Sequence, residues 1–189
     1  MNRICVFCGS SKGNRQAFID AAREMGAAVA ERGLTLVYGA GNVGLMDVLA
    51  NEVLDRGGEV IGVIPEKLVE LEVVHTGLTE CRVVGDMHER KALMAELSDG
   101  FIAMPGGIGT LEELFEALTW TQLGYHHKPC ALLDAAGYYR HLIRFLEQAV
   151  EAGFFRAEHY ANMKVSEDPR EILTHFESCE VTSLDKWTL

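Results

Sequence analysis

Two charged segments and three glycine turns carry the chemistry available to this sequence. Pro105-Gly106-Gly107-Ile108-Gly109-Thr110-Leu111-Glu112-Glu113 sets a glycine-rich turn between the apolar run Gly100 to Met104 and the periodic Leu111, Leu114, Phe115 and Leu118. The run has the length of a buried parallel strand, and the periodic residues have the spacing of a helix. Glycines at 106, 107 and 109 remove side chains that would hold an anion away from backbone N–H groups. The new helix adds unpaired N–H donors and the positive end of its dipole. A phosphate suits such a turn. Glu112 and Glu113 then have two readings: charge compensation at a helix start, or a carboxylate beside the bound ligand.

Two similar turns lie upstream. Cys8-Gly9-Ser10-Ser11 follows the apolar Arg3 to Cys8, and Gly39-Ala40-Gly41-Asn42-Val43-Gly44 follows Leu34-Thr35-Leu36-Val37. An open parallel sheet gathers the carboxyl ends of its strands along one edge, so a single nucleotide could touch all three turns. They bring Gly9, Ser10, Gly41 and Asn42 beside Gly106, Gly107, Ile108, Gly109 and Thr110. A Walker loop would need Lys-Ser or Lys-Thr where Thr110-Leu111 stands, and a dinucleotide fingerprint would need its glycines in the first turn. Neither alternative fits.

The second charged segment is Asp86-Met87-His88-Glu89-Arg90-Lys91. It reads as a turn into a helix capped by Asp86, with Met87, Met94 and Leu97 as packing positions. Arg90 and Lys91 point about 100° apart on such a helix. They are either a solvated basic pair or the local cation of a phosphate site. His88 is of the residue type most often used as a general base, yet one histidine at a helix start more often caps or packs.

PGGIGTLEE, the upstream Arg90-Lys91, the segment from Gly39 to Met46 and the opening Cys-Gly-Ser-Ser together resemble the Lonely guy family of cytokinin riboside 5′-monophosphate phosphoribohydrolases, part of a group also labelled possible lysine decarboxylases. The resemblance runs from Arg3 to about Phe155. The motif Pro-Gly-Gly-x-Gly-Thr-x-x-Glu is met at every fixed position and ends on Glu113. Ala40 and Asp47 stand where the family has glycine, and the tail from Glu180 to Leu189 matches nothing. The resemblance implies that Arg90 and Glu113 are catalytic and that Gly106 to Thr110 bind phosphate. It also implies that Lys91, Glu72 and Thr119 are further ligand contacts, and that the protein is a homodimer with sites near the interface.

Breaking an N-glycosidic bond builds positive charge on the ribose, and a carboxylate near C1′ can stabilise that charge and orient the attacking water. Arg90 could fix the substrate or assist departure of the base. The expected activity is hydrolysis of adenosine or N6-substituted adenosine monophosphates, with no metal or redox cofactor. One rival is a carrier or sensor that holds a nucleotide-like ligand without turnover. The other is a lysine decarboxylase, which would enlist pyridoxal phosphate on a lysine that nothing here singles out.

Composition sets the frame. The 189 residues, 48% of them hydrophobic, can bury one substantial core, and residues 1–179 read as a single domain followed by a tail, 180–189. Acidic residues outnumber basic ones 28 to 17, which disfavours a nucleic-acid partner while leaving room for a mononucleotide held by local donors. No run approaches about 18 apolar residues, and five scattered cysteines suit a reducing compartment, so a cytoplasmic protein without membrane contact is expected. Cys5 and Cys8 form a Cys-x-x-Cys, but no second pair completes a metal site.

Alternating periodicities predict strands near Arg3–Cys8, Thr35–Tyr38, Glu59–Ile64, Cys81–Val84, Gly100–Met104, Pro129–Leu133 and Met163–Val165, with amphipathic helices over Ala17–Glu31 and Tyr138–Ala152. The architecture implied is α/β: a Rossmann-like, doubly wound, mostly parallel sheet of about seven strands with helices on both faces. Pro65 to Glu80 reads as an irregular excursion. Leu114, Phe115, Leu118, Trp120 and Leu123 exceed what one helix face needs and suggest a dimer contact.

Overall fold

A computed structural model describes residues 1–69, 74–179 and 181. Seven parallel strands form one sheet in the order β4-β3-β2-β1-β5-β6-β7. They are β1 (Arg3–Phe7), β2 (Thr35–Tyr38), β3 (Val60–Pro65), β4 (Glu80–Val84), β5 (Phe101–Ala103), β6 (Cys130–Leu133) and β7 (Met163–Ser166). Each falls within a residue or two of its expected span, the usual uncertainty of element ends. The helices are α1 (Gln16–Glu31), α2 (Gly44–Asp55), α3 (Glu66–Val69), α4 (Met87–Leu97), α5 (Ile108–Gln122), α6 (Arg140–Glu151), α7 (Ala157–Ala161) and α8 (Pro169–Ser178), with a 3₁₀ turn at Ala135–Gly137.

The central strands are apolar on both sides because both faces are covered. Side chains alternate across a strand, so Ile4 and Val6 enter one core while Cys5 and Phe7 enter the other. The first core packs under α1, α2 and α8 through Met25, Leu49 and Ile172. The second lies under α4, α5 and α6 through Met94, Leu114 and Leu146. Cys5 and Cys8 therefore sit in different cores with free thiols, and burial pushes both well above the usual thiol range, so neither offers a ready thiolate.

Strand order reverses between β1 and β5. From β1 the chain proceeds outward through β2, β3 and β4, then returns to place β5 on β1's other side. Such a switch point opens a crevice at the carboxyl ends of the strands, because the connections leave in opposite directions. The turns after β1 and β5 therefore meet there.

Two expectations need correction. The chain after β3 is not wholly irregular: α3 continues it for one turn, and Val74 forms an antiparallel bridge with Gly41. Met87, expected to pack, is 40% exposed, with its sulfur against the Arg90 guanidinium rather than in the core. In α5, Leu114 and Leu118 are fully used in the core and Phe115 packs partly against it, whereas Leu123 is exposed. Among the described residues no helix is long and apolar enough to cross a membrane.

Candidate active site

The three glycine turns are physically joined. Gly9 N–H donates to Pro105 O at 3.0 Å, and Leu45 N–H donates to Gly9 O at 3.0 Å, so the β1 turn bridges the other two. Glycine is required at these crossings. A Cβ on Gly106 would lie 2.1 Å from Thr110 Oγ1 and 2.9 Å from Gly9 N, and one on Gly44, where φ is +65°, would lie 2.2 Å from the Ser10 carbonyl carbon. The joined turns from Gly9 to Gly13 and from Pro105 to Gly107 border an open cavity of about 290 Å³, walled by Phe18, Leu45 and Tyr138.

Helix α5 begins beside this cavity at Ile108, and its cap residue Gly107 supplies no side-chain bond. The first N–H groups of the helix therefore remain available to an anion. Ile108 is 82% exposed, whereas Thr110 is buried. Two residues that carried no sequence signal brace the turn: Tyr138 Oη donates to Gly106 O and Tyr139 Oη to Met104 O, both at 2.5 Å. They follow β6, far from the glycine motifs in sequence, and an aromatic pair at a helix start reads as ordinary core.

Arg90 and Glu113 come together. Asp86 caps α4 by accepting from the N–H groups of His88 and Glu89, which fixes the helix start and turns Arg90 inward. Arg90, 9% exposed, donates from Nε to Val63 O at 3.0 Å and from Nη2 to Gly39 O at 3.3 Å. A Cβ at position 39 would stand 2.0 Å from Nη2, so Gly39 leaves the space that the guanidinium fills. Glu113 Oε1 lies 4.0 Å from the same nitrogen. Neither residue lines the cavity beside Gly9 and Gly106.

The Glu113 carboxyl is pushed up to about 7. Burial is the larger cause, because an ionised carboxylate loses its water there; Arg90 and Lys91 pull the other way, and Glu112 and Glu116 add to the rise. Arg90 offsets only part of the burial cost because it is at the limit of ion-pair distance and already donates to two carbonyls. The helix-start reading of the two glutamates loses ground here. Helix α5 starts at Ile108 and has no acidic residue in its first turn, so both glutamates lie beyond the range over which the dipole acts.

The other expected site residues are distributed less uniformly. Lys91, its side chain 11% exposed, pairs with Glu112 and with Glu116, the latter at 3.0 Å. Gly41 is buried at the bridge to Val74, Asn42 is half-buried beside it, and Ser10 is exposed at the cavity. Thr119 is exposed further along α5, its hydroxyl donating to Phe115 O, and does not line the cavity. His88 is exposed. Glu72 lies outside the described residues. Among those described, no group of three or more His, Cys, Asp or Glu could hold a metal.

The two departures from the family's glycine pattern each have a local structure. Ala40 takes φ +62°, a conformation that costs an ordinary residue about 1–2 kcal/mol. Its methyl packs over Gly62, where an added Cβ would come within 2.6 Å, and its carbonyl accepts from His75 N–H at 3.1 Å. Asp47 accepts from Asn51 Nδ2 at 2.7 Å; Asn51 Oδ1 lies 3.0 Å from His75 Nε2, and His75 Nδ1 accepts from Gly77 N–H at 3.1 Å. That chain of bonds requires the Nε2–H tautomer and ties α2 to the segment re-entering the fold at residue 74.

Comparison with known proteins identifies the family to which the chain belongs. Residues 46–176 match the family model described as possible lysine decarboxylase. A probable cytokinin riboside 5′-monophosphate phosphoribohydrolase of Oryza sativa subsp. japonica is 54% identical over 152 residues, covering 80% of this chain and 72% of the relative. Cytokinin riboside 5′-monophosphate phosphoribohydrolases of Arabidopsis thaliana and Rhodococcoides fascians are 53% and 55% identical, covering 80% of this chain and 71% and 77% of theirs. Among solved structures, a molybdenum cofactor binding protein of Rippkaea orientalis superposes with a TM-score of 0.70 at 24% identity, over 94% of this chain and 96% of that one. The Chlamydomonas reinhardtii molybdenum cofactor carrier protein gives 0.69 at 22%, over 93% and 96%. These last two establish a shared fold, whereas the sequence matches establish kinship: the chain belongs to the Lonely guy family of cytokinin riboside 5′-monophosphate phosphoribohydrolases, within the group described as possible lysine decarboxylases.

Proposed function

We propose that this protein hydrolyses the N-glycosidic bond of adenosine 5′-monophosphate or its N6-substituted, cytokinin-type analogues, releasing the free base and ribose 5-phosphate. The observation that carries this reading is the Glu113 carboxyl, its side chain only 13% exposed, facing the Arg90 guanidinium, which in turn bonds the carbonyl of Gly39 in one of the three joined glycine turns. The phosphate binds the uncapped start of α5 through the N–H groups of Ile108, Gly109 and Thr110, with Gly9, Ser10 and the glycines at 106 and 107 allowing close approach. As the bond from C1′ to the base breaks, its electron pair leaves with the base and the ribose becomes cation-like. The Glu113 carboxylate stabilises that charge and orients a water, whose oxygen bonds C1′ and whose released proton ends on the departing base. Arg90 holds the substrate against the sheet edge. The activity for which its relatives are named supports this reading.

The direct test is release of free base on incubation with AMP and with isopentenyladenosine monophosphate, comparing rates. A ligand carrier without turnover would bind both and release nothing. A homodimer is part of the proposal, supported by the exposed Ile108, Leu123 and Tyr125 on and just beyond α5. Sedimentation at micromolar protein should give twice the chain mass; a monomer would remove the interface from the proposal.

A further inference from the structure

Helices α4 and α5 are joined by two adjacent contacts. Arg90 faces Glu113, and the next residue of α4, Lys91, bonds Glu112 and Glu116 together. Positions 112 and 116 are one turn apart on the same helix face, where like charges repel, and both border position 113. The charged groups around Glu113 are thus Arg90 and Lys91 from α4 and Glu112 and Glu116 on its own helix, and the thiols of Cys5 on β1 and of Cys8 just after it also feel its charge.

An exposed lysine pair contributes little to a protein, because both ions are well hydrated and long side chains lose entropy on pairing. Lys91 is different. Its side chain is 11% exposed and its ammonium is shared by two carboxylates, one of them 26% exposed. We infer that Lys91 is a positioning residue for the reaction: by neutralising Glu112 and Glu116 it lets the adjacent Glu113 carry its negative charge at the working pH, while holding α4 and α5 at the spacing that sets Arg90 against Glu113. This inference rests on the reading of Glu113 as the catalytic carboxylate.

Electrostatics agree in direction. Burial alone would make Lys91 easier to deprotonate, yet the bonds to Glu112 and Glu116 prevail and raise it, so it stays charged throughout the range in which Glu113 titrates. Glu113 at about 7 is poised where a modest change in local charge alters how much of it is ionised. Loss of Lys91 removes one positive charge and exposes Glu113 to two uncompensated negative ones. Both changes disfavour its ionised form.

The experiment measures base release from AMP against pH, together with an NMR titration of the Glu113 carboxyl carbon. The variants are Lys91→Met, Lys91→Arg, Glu112→Gln/Glu116→Gln, and the triple Lys91→Met/Glu112→Gln/Glu116→Gln. The acid limb and the titration should both move up by roughly one pH unit in Lys91→Met, with activity recovering at higher pH. Lys91→Arg should keep the wild-type limb, the triple variant should return to it or below, and the double variant, which retains Lys91, should move it down. An active wild type whose limb and titration stay put in Lys91→Met, or in the double variant if Lys91→Met does not fold, overturns the inference. So does a loss independent of pH that the triple variant does not repair. If the wild type releases no base, the proposed activity fails, and the titration still decides the role of Lys91.

Discussion

Arg90 Nη2 is 4.0 Å from Glu113 Oε1 and 3.3 Å from the carbonyl oxygen of Gly39. The guanidinium therefore bridges the end of β2 and the middle of α5, and its position depends on a residue that has no side chain. Placing this cation fixes the direction from which a ribose can approach the carboxylate.

Glu113→Gln removes the charge while keeping the side chain's size. Base release from AMP should fall by roughly 10²-fold or more in kcat with little change in nucleotide affinity, the pattern of an interaction made mainly in the transition state. Glu112→Gln should stay within about tenfold of wild type, because its carboxylate is half exposed and directed to Lys91. Steady-state kinetics on the two variants checks this, and equal losses in both would remove Glu113 from its special role.

The same substitution should affect stability in the opposite sense. Glu113 has a folded-state pKa of about 7 against an ordinary 4.5, so the folded protein prefers the protonated form. Its stabilising contribution is complete below about pH 4.5 and is lost as pH rises through about 7. Glu113→Gln should therefore be more stable than wild type by on the order of 2 kcal/mol at pH 8, with the difference vanishing toward pH 4.5. Denaturant unfolding at the two pH values measures it; a variant destabilised at pH 8 would show that the carboxylate is well solvated or well paired.

Gly39→Ala places a methyl 2.0 Å from Arg90 Nη2. The strand can persist while the guanidinium moves, so kcat should fall by roughly 10²-fold with far-ultraviolet circular dichroism unchanged. Wild-type turnover in Gly39→Ala would mean that Arg90 can act from another position.

Asp47→Gly installs the glycine that the family resemblance leads one to expect at this position. In this chain it removes the acceptor for Asn51 Nδ2 and puts glycine in the first turn of α2. A loss of about 1–2 kcal/mol is expected from the broken bond and the helix propensity together. Thermal unfolding reads it, and an unchanged midpoint would show that the link from Asp47 through Asn51 to His75 adds nothing to the fold.

AMP should be cleaved much faster than adenosine. The phosphate supplies binding energy at the start of α5 that places C1′ against Glu113, and the nucleoside lacks it. Equal turnover of the two would remove the phosphate from the mechanism.

Seven parallel strands, the two amphipathic helices and the functional motifs were legible in the sequence because they depend on local chemistry. Apolar runs such as Val60–Pro65 and Cys130–Leu133 specify buried strands by composition, and Asp86 specifies a helix start by its short acceptor side chain. Position 113 was marked by its place in the PGGIGTLEE motif, but its chemistry was not: a glutamate near a helix start is equally a dipole partner until burial is known. Tertiary structure alone decided that burial, set Arg90 on the carbonyls of Val63 and Gly39, engaged Lys91 with Glu112 and Glu116, and brought Tyr138 to the Gly106 turn. These relations join residues from 21 to 51 positions apart across different elements. Their distances follow from sheet order and helix docking, which local sequence patterns restrict but do not fix.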